Sequence, residues 1–437
     1  MDYLKQIGLI MLTSITLSPY AQVPEWKNLK KEIDNKVEQT TTMAIEWRRD
    51  FHQHPELSNH EFRTAEIVAK HLKSLGLEVH TGVAKTGVIG ILKGDLPGPV
   101  VALRADMDAL PVTELCDLPF ASKVKTEYNG KEVGVMHACG HDVHTAMLMG
   151  VAEILAAMKS ELPGTVKFIF QPAEEGAFGE EIWGAELMIK EGALENPRPD
   201  AIFGMHIWPE ETGSISYRAG AFMASVDNFH IEIEGKGTHG AMPWKGVDPI
   251  VTGSEIVMAL QTIVSRNVAI NEGGAVVTVG SFHGGTRNNI ISDKAEMDGT
   301  IRTHNEKARE IIHQRIEELA INIAKANGAT AKVTIEKLYP STINNVELTN
   351  EMVPVLEQAS NTVNEIFPVM PAEDFSFYQQ KVPGMYFFLG VIPHGTNPDK
   401  IEANHSPRFY VDEAAIPTGM KAMSYLTVNY LINHSEK

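Results

Sequence analysis

Five short apolar runs constrain the fold of this chain more than any other feature. They cover residues 88–92, 100–103, 166–170, 201–205 and 386–389. They lie between segments with helical spacing, the first of which, 59–75, precedes the runs and is ended by Gly76. Short apolar strands that alternate with helices are typical of a sheet that is buried on both faces and largely parallel. We therefore predict an α/β fold.

The pattern changes between residues 220 and 340. Here strands predicted at 229–233, 276–279, 295–301 and 331–335 accompany two helices at 248–270 and 306–327, a complete α+β unit. A helix at 348–366 and the last apolar run then resume the first pattern. At 437 residues the chain is too long for one ordinary core. We predict a larger domain of residues 22–219 and 341–437, with residues 220–340 inserted as a smaller lid.

The first 21 residues have the features of a signal peptide: one lysine, an apolar stretch at 7–17 and a possible cleavage site after Ala21. No other stretch reaches the roughly 18 to 20 apolar residues that span a bilayer. These features predict a periplasmic or secreted protein that is not inserted in the membrane after processing. Asp2 and Pro19 depart from the usual pattern, so a frayed N-terminus is the alternative.

The charge balance restricts the partners. With 38 Lys and Arg against 56 Asp and Glu, the net charge is −18, which repels nucleic acid and anionic lipid. We therefore expect small molecules or proteins as partners. Only Cys116 and Cys139 are present, and an exported protein with two cysteines can form one disulfide. A disulfide competes with a metal-binding role for Cys139.

Metal-type and acidic residues follow several of the apolar runs. Ligands of open α/β sheets bind where strands end. RADMDALP places Asp106 and Asp108 there, as ligands or as acceptors that orient ligands, and QPAEEG places Glu174 and Glu175. Two adjacent carboxylates repel each other unless a cation or a proton intervenes. His206 stands at the end of a fourth run, so the strand ends predict a cation site.

The densest cluster lies in MHACGHDVHTA, residues 136–146, directly before an apolar helix at 146–158. Gly140 can take a sharp turn that lets Cys139 and His141 point at one ion, and the N-terminus of the helix favours the thiolate. Asp142 could orient His141. With His405, in a loop, the chain offers one thiolate, three imidazoles and the Glu175 carboxylate. These are too many ligands for one tetrahedral ion with an open position, so two ions with a shared ligand fit the count.

The motifs also occur in a specific order. They are WRRDFHQHPELS at 47–58, RADMDALP at 104–111, CGHDVHTA at 139–146, QPAEEG at 171–176, GKGTHGAMP at 235–243 and HSPRF at 405–409. From Glu46 to the C-terminus the chain thereby resembles the group of co-catalytic metallopeptidases that contains aminoacylases, hippurate hydrolases and plant auxin-conjugate hydrolases. AEDFSFY at 372–378 also matches a segment near the site of this group.

The resemblance implies the roles of the site residues. Cys139 would bridge two divalent ions per subunit (zinc, manganese, cobalt or nickel), with Glu175 and His405 completing one site and His141 and His206 the other. Asp108 and Asp142 would support these ligands. A hydroxide that bridges the metals would attack the amide bond of an N-acyl amino acid, hippurate-like or N-acetylated. Glu174 would act as general base and then as general acid.

The resemblance also implies a homodimer formed through the inserted domain. His239 of GKGTHGAMP would stabilise the oxyanion in the cleft of a partner subunit. Asn289 and Arg302 would face the substrate carboxylate, which an arginine fork suits geometrically. Asn288 precedes Asn289, so the alignment of the binding asparagine has an ambiguity of one residue.

Two other functions remain open at this point. A dipeptidase or carboxypeptidase would use the same bimetallic chemistry on a different substrate, and a non-catalytic binding protein would retain only the fold. The position of Cys139 inside CGHD favours a metal-bound thiolate over a disulfide with Cys116. The other histidines of the motif regions and lid are expected to be structural or solvated; these are His52, His54, His137, His144, His230 and His283.

Overall fold

The computed structural model describes residues 25–177 and 182–435. The predicted signal peptide lies outside these residues, so export stays a prediction. In the two described stretches, no helix is long and apolar enough to cross a membrane.

Strands and helices alternate along most of the described chain. The strands are β1 (Glu78–Val83), β2 (Gly87–Lys93), β3 (Leu96–Asp106), β4 (Lys125–Tyr128), β5 (Lys131–Gly134), β6 (Pro163–Gln171), β7 (Ala201–Glu211), β8 (Ile215–Tyr217), β9 (Gly220–Met223), β10 (Ser225–Glu234), β11 (Thr238–His239), β12 (Ala275–Gly284), β13 (Ile290–Ile291), β14 (Lys294–Thr303), β15 (Thr330–Tyr339), β16 (Thr342–Asn344), β17 (Val363–Glu365) and β18 (Gly384–Ile392). The α-helices are α1 (Trp26–Gln53), α2 (Phe62–Ser74), α3 (His141–Ala157), α4 (Gly184–Lys190), α5 (Pro249–Arg266), α6 (Glu306–Ala326), α7 (Val346–Leu356), α8 (Phe375–Gln379) and α9 (Ile416–Asn433).

The larger sheet has the strand order β1-β2-β6-β3-β7-β18-β8-β17. Its four central strands, β6, β3, β7 and β18, are parallel neighbours. Antiparallel pairs occur only towards its ends, between β1 and β2, β2 and β6, and β18 and β8. Because the central strands run in one direction, their carboxyl ends meet at one edge. The prediction of a mostly parallel α/β sheet is confirmed.

Side chains of the larger sheet alternate between two apolar layers, as strand geometry requires. On β3, Val101, Leu103 and Ala105 face one layer and Ala102 faces the other. The first layer contains α1, α3 and α9. Helix α3 is apolar around most of its circumference, which is typical of a buried helix, and it lies between α1, α9 and the sheet. Its N-terminus therefore has a fixed position beside the strand ends.

The smaller sheet has the order β12-β14-β10-β15 and is antiparallel throughout. Its strands lie between residues 225 and 339, whereas the larger sheet takes strands from both sides of this stretch. Helices α5 and α6 cover one face, where Phe229, Ile231 and Ile233 alternate with polar residues. Asp248 and Asn305 cap these helices through their side chains. The α+β unit is thus present, and its limits at 220 and 340 stay a prediction.

The predicted helix at 348–366 is wrong in its second half. Helix α7 ends at Leu356, and residues 363–365 form β17, which pairs in parallel with β8 at the edge of the larger sheet. Pairing with a neighbouring strand outweighs the weak local preference for helix. The predicted helix at 59–75 begins only at Phe62, because Asn59 has a left-handed φ of +64° that a helix does not accept.

A buried ion pair ties the smaller sheet to α6. The Asp227 carboxylate on β10 accepts hydrogen bonds from Arg309 (Nε, 2.9 Å) and His313 (Nε2, 2.6 Å). Burial alone would raise the pKa of Asp227, but these two partners lower it to about 2. An unfolded aspartate has a pKa of about 3.9. The stabilisation is therefore complete above that value and is lost as pH falls towards 2.

We expect Asp227→Asn to lower the free energy of unfolding by about 3 kcal/mol at pH 7, because it removes the buried carboxylate that pairs with Arg309 and leaves this arginine with the more exposed Glu306. Urea denaturation at several pH values measures this loss, and the difference from wild type should shrink below pH 4. Asp298→Asn is the matched control, since Asp298 pairs with His230 on the exposed part of the same sheet. Equal losses of unfolding free energy in the two variants would contradict the stabilising role of the buried ion pair of Asp227.

Candidate active site

The predicted site residues come together at the carboxyl edge of the larger sheet. Strand β3 ends at Asp106 beside Gln171, the last residue of β6, and His206 lies on the adjacent β7. Helix α3 begins at His141 on the same edge. Segments that are far apart in sequence therefore converge, as expected for ligand sites in α/β sheets.

Gly140 makes the turn that joins Cys139 to His141. Its φ is +89°, and a β-carbon at this position would lie 2.0 Å from Cδ1 of Ile207. Only glycine fits both the backbone conformation and the space. The turn places the Cys139 Sγ 3.3 Å from Nε2 of His206, with both side chains buried.

Both cysteines are free, so the alternative of a disulfide is not borne out. The Cys116 thiol contacts the backbone carbonyls of Pro407 and Phe409, in the segment that follows His405. Cys139 faces His206 instead. The sulfur of Cys139 is therefore available as a ligand.

Hydrogen bonds fix which nitrogen of two imidazoles faces the cluster. Nδ1 of His206 donates to the carbonyl of Ile207 at 2.6 Å, which leaves the lone pair of Nε2 towards Cys139. Nδ1 of His141 lies 3.2 Å from the Asp108 carboxylate, and its buried Nε2 has no hydrogen-bond partner among the described residues. A carboxylate or carbonyl on the far nitrogen is the usual arrangement for a metal-binding histidine.

The adjacent glutamates occupy a tight turn after β6. The backbone N–H groups of Glu174 and Glu175 donate to the two oxygens of Asp108, at 3.1 and 3.0 Å. The Glu175 carboxylate then lies 3.1 Å from Nε2 of His405 and 3.9 Å from Nε2 of His141. Asp108 thus supports His141 and both glutamates at once.

Two groups of candidate ligands share one sulfur. In the described part of the chain, Cys139, His141 and His206 form one group, and Cys139, Glu175 and His405 form another, with ligand atoms within 4.8 Å of one another in each. The backbone N–H of His405 donates to the carbonyl of Ala138 at 2.8 Å, which ties its loop to the cysteine. The predicted ligands therefore lie together in two groups.

The electrostatic environment of this cluster favours bound cations. Burial, Glu175 and Glu174 raise the pKa of the Cys139 thiol well above its ordinary value, which outweighs the expected effect of the helix N-terminus. Although burial opposes charge on His141, the carboxylates of Asp106 and Asp108 raise its pKa to about 10. A site that holds protons this strongly is one in which a divalent cation would be stabilised, and it would convert the thiol to a thiolate.

Three further groups of acidic and histidine side chains lie nearby in the described part of the chain. One consists of His141, Glu174 and Glu175, and the other two include side chains that are already engaged. His144 donates from Nδ1 to Asp106 at 2.6 Å and accepts the N–H of Ile207 at Nε2. Both of its nitrogens are therefore occupied, in keeping with a structural role. Glu373 and Asp374 lie beside Glu174 and form ion pairs with Arg104.

Arg104 is a functional neighbour that the sequence reasoning missed. It is fully buried, donates to Gln171 and Asp374, and pairs with Asp106. The sequence contained a signal for it, because an arginine directly after an apolar run is expected to be buried and then needs anionic partners. AEDFSFY supplies two of them. Burial, Glu373 and Glu175 raise the pKa of Glu174 well above its ordinary value, although Arg104 opposes them.

Asp142 differs from its expected role. Its carboxylate lies 2.9 Å from Nε of Arg48 and 2.9 Å from Nδ1 of His52, whereas Asp108 holds His141. Successive residues of an α-helix point about 100° apart. Asp142 therefore faces α1, and His141 faces the sheet edge.

The three residues expected to complete the site belong to the smaller sheet unit. His239 is exposed on β11, where its Nδ1 accepts the N–H of Ala241. The backbone carbonyl of Asn289 accepts the N–H of Gly240. Arg302, on β14, donates to the carbonyl of Ile301, and burial lowers its pKa. The partners in these hydrogen bonds all belong to the smaller unit, and none of these bonds involves the cluster around Cys139.

Several proteins named as hydrolases are similar to this chain over most of their length. Thermostable carboxypeptidase 2 of Saccharolobus solfataricus is 42% identical over 92% of this chain and 99% of its own. An N-acetyl-L-cysteine deacetylase of Bacillus subtilis is 39% identical, covering 88% of each chain. An IAA-amino acid hydrolase (ILR1-like 5) of Arabidopsis thaliana is 38% identical over 89% of this chain and 86% of its own. These similarities confirm the resemblance stated from the motifs.

Solved structures agree with the fold. An aminohydrolase from Staphylococcus aureus has a TM-score of 0.84 at 35% identity, over 92% of this chain and 100% of its own. A Bacillus subtilis protein described as a dinuclear metal-binding peptidase has a TM-score of 0.76 at 37% identity, over 90% of this chain and 99% of its own. Residues 102–429 match the model of peptidase family M20/M25/M40. The chain therefore belongs to this family of hydrolases that act on amide bonds.

Proposed function

We propose that the protein hydrolyses the amide bond of N-acyl amino acids with two divalent cations. The observation that carries this proposal is the pair of ligand groups that share Cys139, with the buried Glu174 beside them. The names of two relatives, a deacetylase of N-acetylcysteine and a hydrolase of IAA-amino acids, support the substrate class. Cleavage would release a carboxylic acid and an amino acid.

The ligand set would divide between the cations around the shared sulfur. His141 and His206 would complete one site, and Glu175 and His405 the other. When bound, such cations acidify a water molecule and polarise the substrate carbonyl. Asp108 would keep the ligands in place, because it holds the ring of His141 and the backbone of Glu175.

Glu174 would carry the proton during the reaction. Its backbone is held by Asp108, and its side chain is buried beside Glu373, so it can adopt few other positions. Burial and the neighbouring carboxylates raise its pKa, which brings it closer to the range in which a group can both accept and return a proton near neutral pH. Glu174 would accept the proton of the attacking water and pass it to the leaving amine.

A homodimer would complete the site. His239 is exposed on the smaller unit, and Nδ1 accepts a hydrogen bond, so the proton of a neutral ring is on Nε2 and can be donated to an oxyanion. Exposed apolar side chains lie on the same unit: Trp244 beside β11, and Val251 and Met258, seven residues apart on one face of α5. Asn289 and Arg302 would bind the substrate carboxylate from this side.

We expect Glu174→Gln to lower kcat by roughly 100- to 10,000-fold, because it removes the group that transfers the proton. Metal content, measured by elemental analysis after dialysis, should stay near that of wild type. Cys139→Ala is the matched comparison: it should lose bound metal as well as activity, since it removes the shared ligand. A Glu174→Gln enzyme with wild-type turnover would refute the role of this residue.

The partner subunit's His239 is tested by mixing two inactive variants. We expect His239→Ala and Glu174→Gln each to be nearly inactive, and their mixture, after subunit exchange, to regain about a quarter of wild-type activity. Half of the exchanged dimers are mixed, and one of their two sites combines an intact Glu174 with the intact histidine of the other chain. If His239 acts within its own subunit, mixing restores no activity.

A carboxypeptidase or dipeptidase is the second candidate, because two relatives are named carboxypeptidases. The α-ammonium group of a dipeptide would lie next to the scissile carbonyl and be repelled by the proposed cations, whereas an acyl group is neutral. We expect kcat/KM for hippurate and N-acetyl amino acids to exceed that for dipeptides of the same C-terminal residue. The reverse order would favour the second candidate. A non-catalytic binding protein is not supported, since the chain belongs to a family of hydrolases.

A further inference from the structure

The turn that presents the two glutamates has an uncommon backbone. Ala173 has a φ of +53°, in the left-handed region that residues with a β-carbon rarely adopt. Such a conformation persists only where its surroundings hold it. Each of the three successive N–H groups of residues 173–175 donates to a buried carboxylate: the first to Glu61 (Oε1, 3.0 Å) and the next two to Asp108.

Glu61 makes its contacts away from its own helix. It directly precedes α2, where a side chain often caps the first turn, yet it makes no capping hydrogen bond. Its carboxylate instead accepts the N–H of Asn59 at 3.0 Å and the hydroxyl of Thr86 at 2.6 Å, besides the N–H of Ala173. Glu61 is completely buried, and burial and the charge of Asp108 raise its pKa to about 8. A buried carboxyl group with neutral donors and an acidic neighbour is costly to retain for stability alone.

We propose that Glu61 is a positioning residue. Together with Asp108, it holds the left-handed turn at Ala173, so that the side chains of Glu174 and Glu175 point in different directions. Glu175 lies against His405, whereas Glu174 lies beside Glu373 and Asp374. Without the bond from Glu61, the backbone of Ala173 can relax to a negative φ, which rotates both glutamates away from these partners. This role rests on the proposed function, in which Glu175 is a metal ligand and Glu174 is the base.

Three variants separate positioning from general stability. Glu61→Ala removes the acceptor for Ala173. Glu61→Gln keeps an oxygen for that N–H, and its amide can donate to the Thr86 hydroxyl. Glu56→Ala is the matched control, because Glu56 also accepts two backbone N–H groups, those of Arg63 and Thr64, but at the start of α2 and not at the glutamate turn.

The readouts are cobalt affinity, measured by equilibrium dialysis, and kcat and KM, measured by steady-state kinetics. We expect Glu61→Ala to lower both cobalt affinity and kcat by roughly 10- to 100-fold, with KM nearly unchanged. Glu61→Gln should restore both to within a few-fold of wild type, and Glu56→Ala should leave both near wild type even if its melting temperature falls. If Glu61→Ala does not fold, Glu61→Asp replaces it, since its shorter side chain keeps the carboxyl group but does not reach Ala173.

Wild-type cobalt affinity and kcat in Glu61→Ala would overturn the inference. Equal losses in Glu56→Ala, or no recovery in Glu61→Gln, would overturn it too, because both would indicate a merely structural effect. The proposed function fails separately, if the wild-type enzyme binds cobalt but hydrolyses no N-acyl amino acid. In that case the cobalt affinities of the three variants still decide the role of Glu61.

Discussion

Negative charge buried at the carboxyl edge of the larger sheet is the constraint on which the site depends. Asp106, Asp108, Glu174, Glu373 and Asp374 are all removed from solvent within one region. Arg104 offsets part of this charge through ion pairs with three of them. Burial and the remaining negative charge together raise the pKa of the Cys139 thiol, and at His141 the negative charge raises the pKa of the imidazole although burial opposes it. The fold therefore produces an electrostatic environment that favours cations at the place where the candidate metal ligands lie.

Much of this arrangement could be predicted from the sequence, because its signals are local. The apolar runs that are followed by Asp106, Glu174 and His206 indicated both the sheet and the edge at which ligands gather. The turn at Gly140 followed from the spacing of Cys139 and His141. These inferences succeed because strand direction brings the carboxyl ends of parallel strands together.

The parts that escaped prediction depend on contacts between distant segments. Asp142 adjoins His141 in sequence but faces Arg48 on α1, and Asp108 takes the position beside His141. Strand β17 replaces the end of a predicted helix because β8 offers it a partner. Glu61 reaches the turn at Ala173 across more than 100 residues. No periodicity or spacing within a segment contains that information.

The turn at Gly140 also determines how freely this sequence can vary over evolutionary time. A single methyl group there would displace Ile207, whose N–H is held by His144 and whose carbonyl is held by His206. The smallest possible side chain would thus disturb two histidines at once, including one of the candidate ligands. Substitutions at this position are therefore excluded, whereas exposed loops can accumulate them. The turn is therefore expected to stay fixed while such loops diverge.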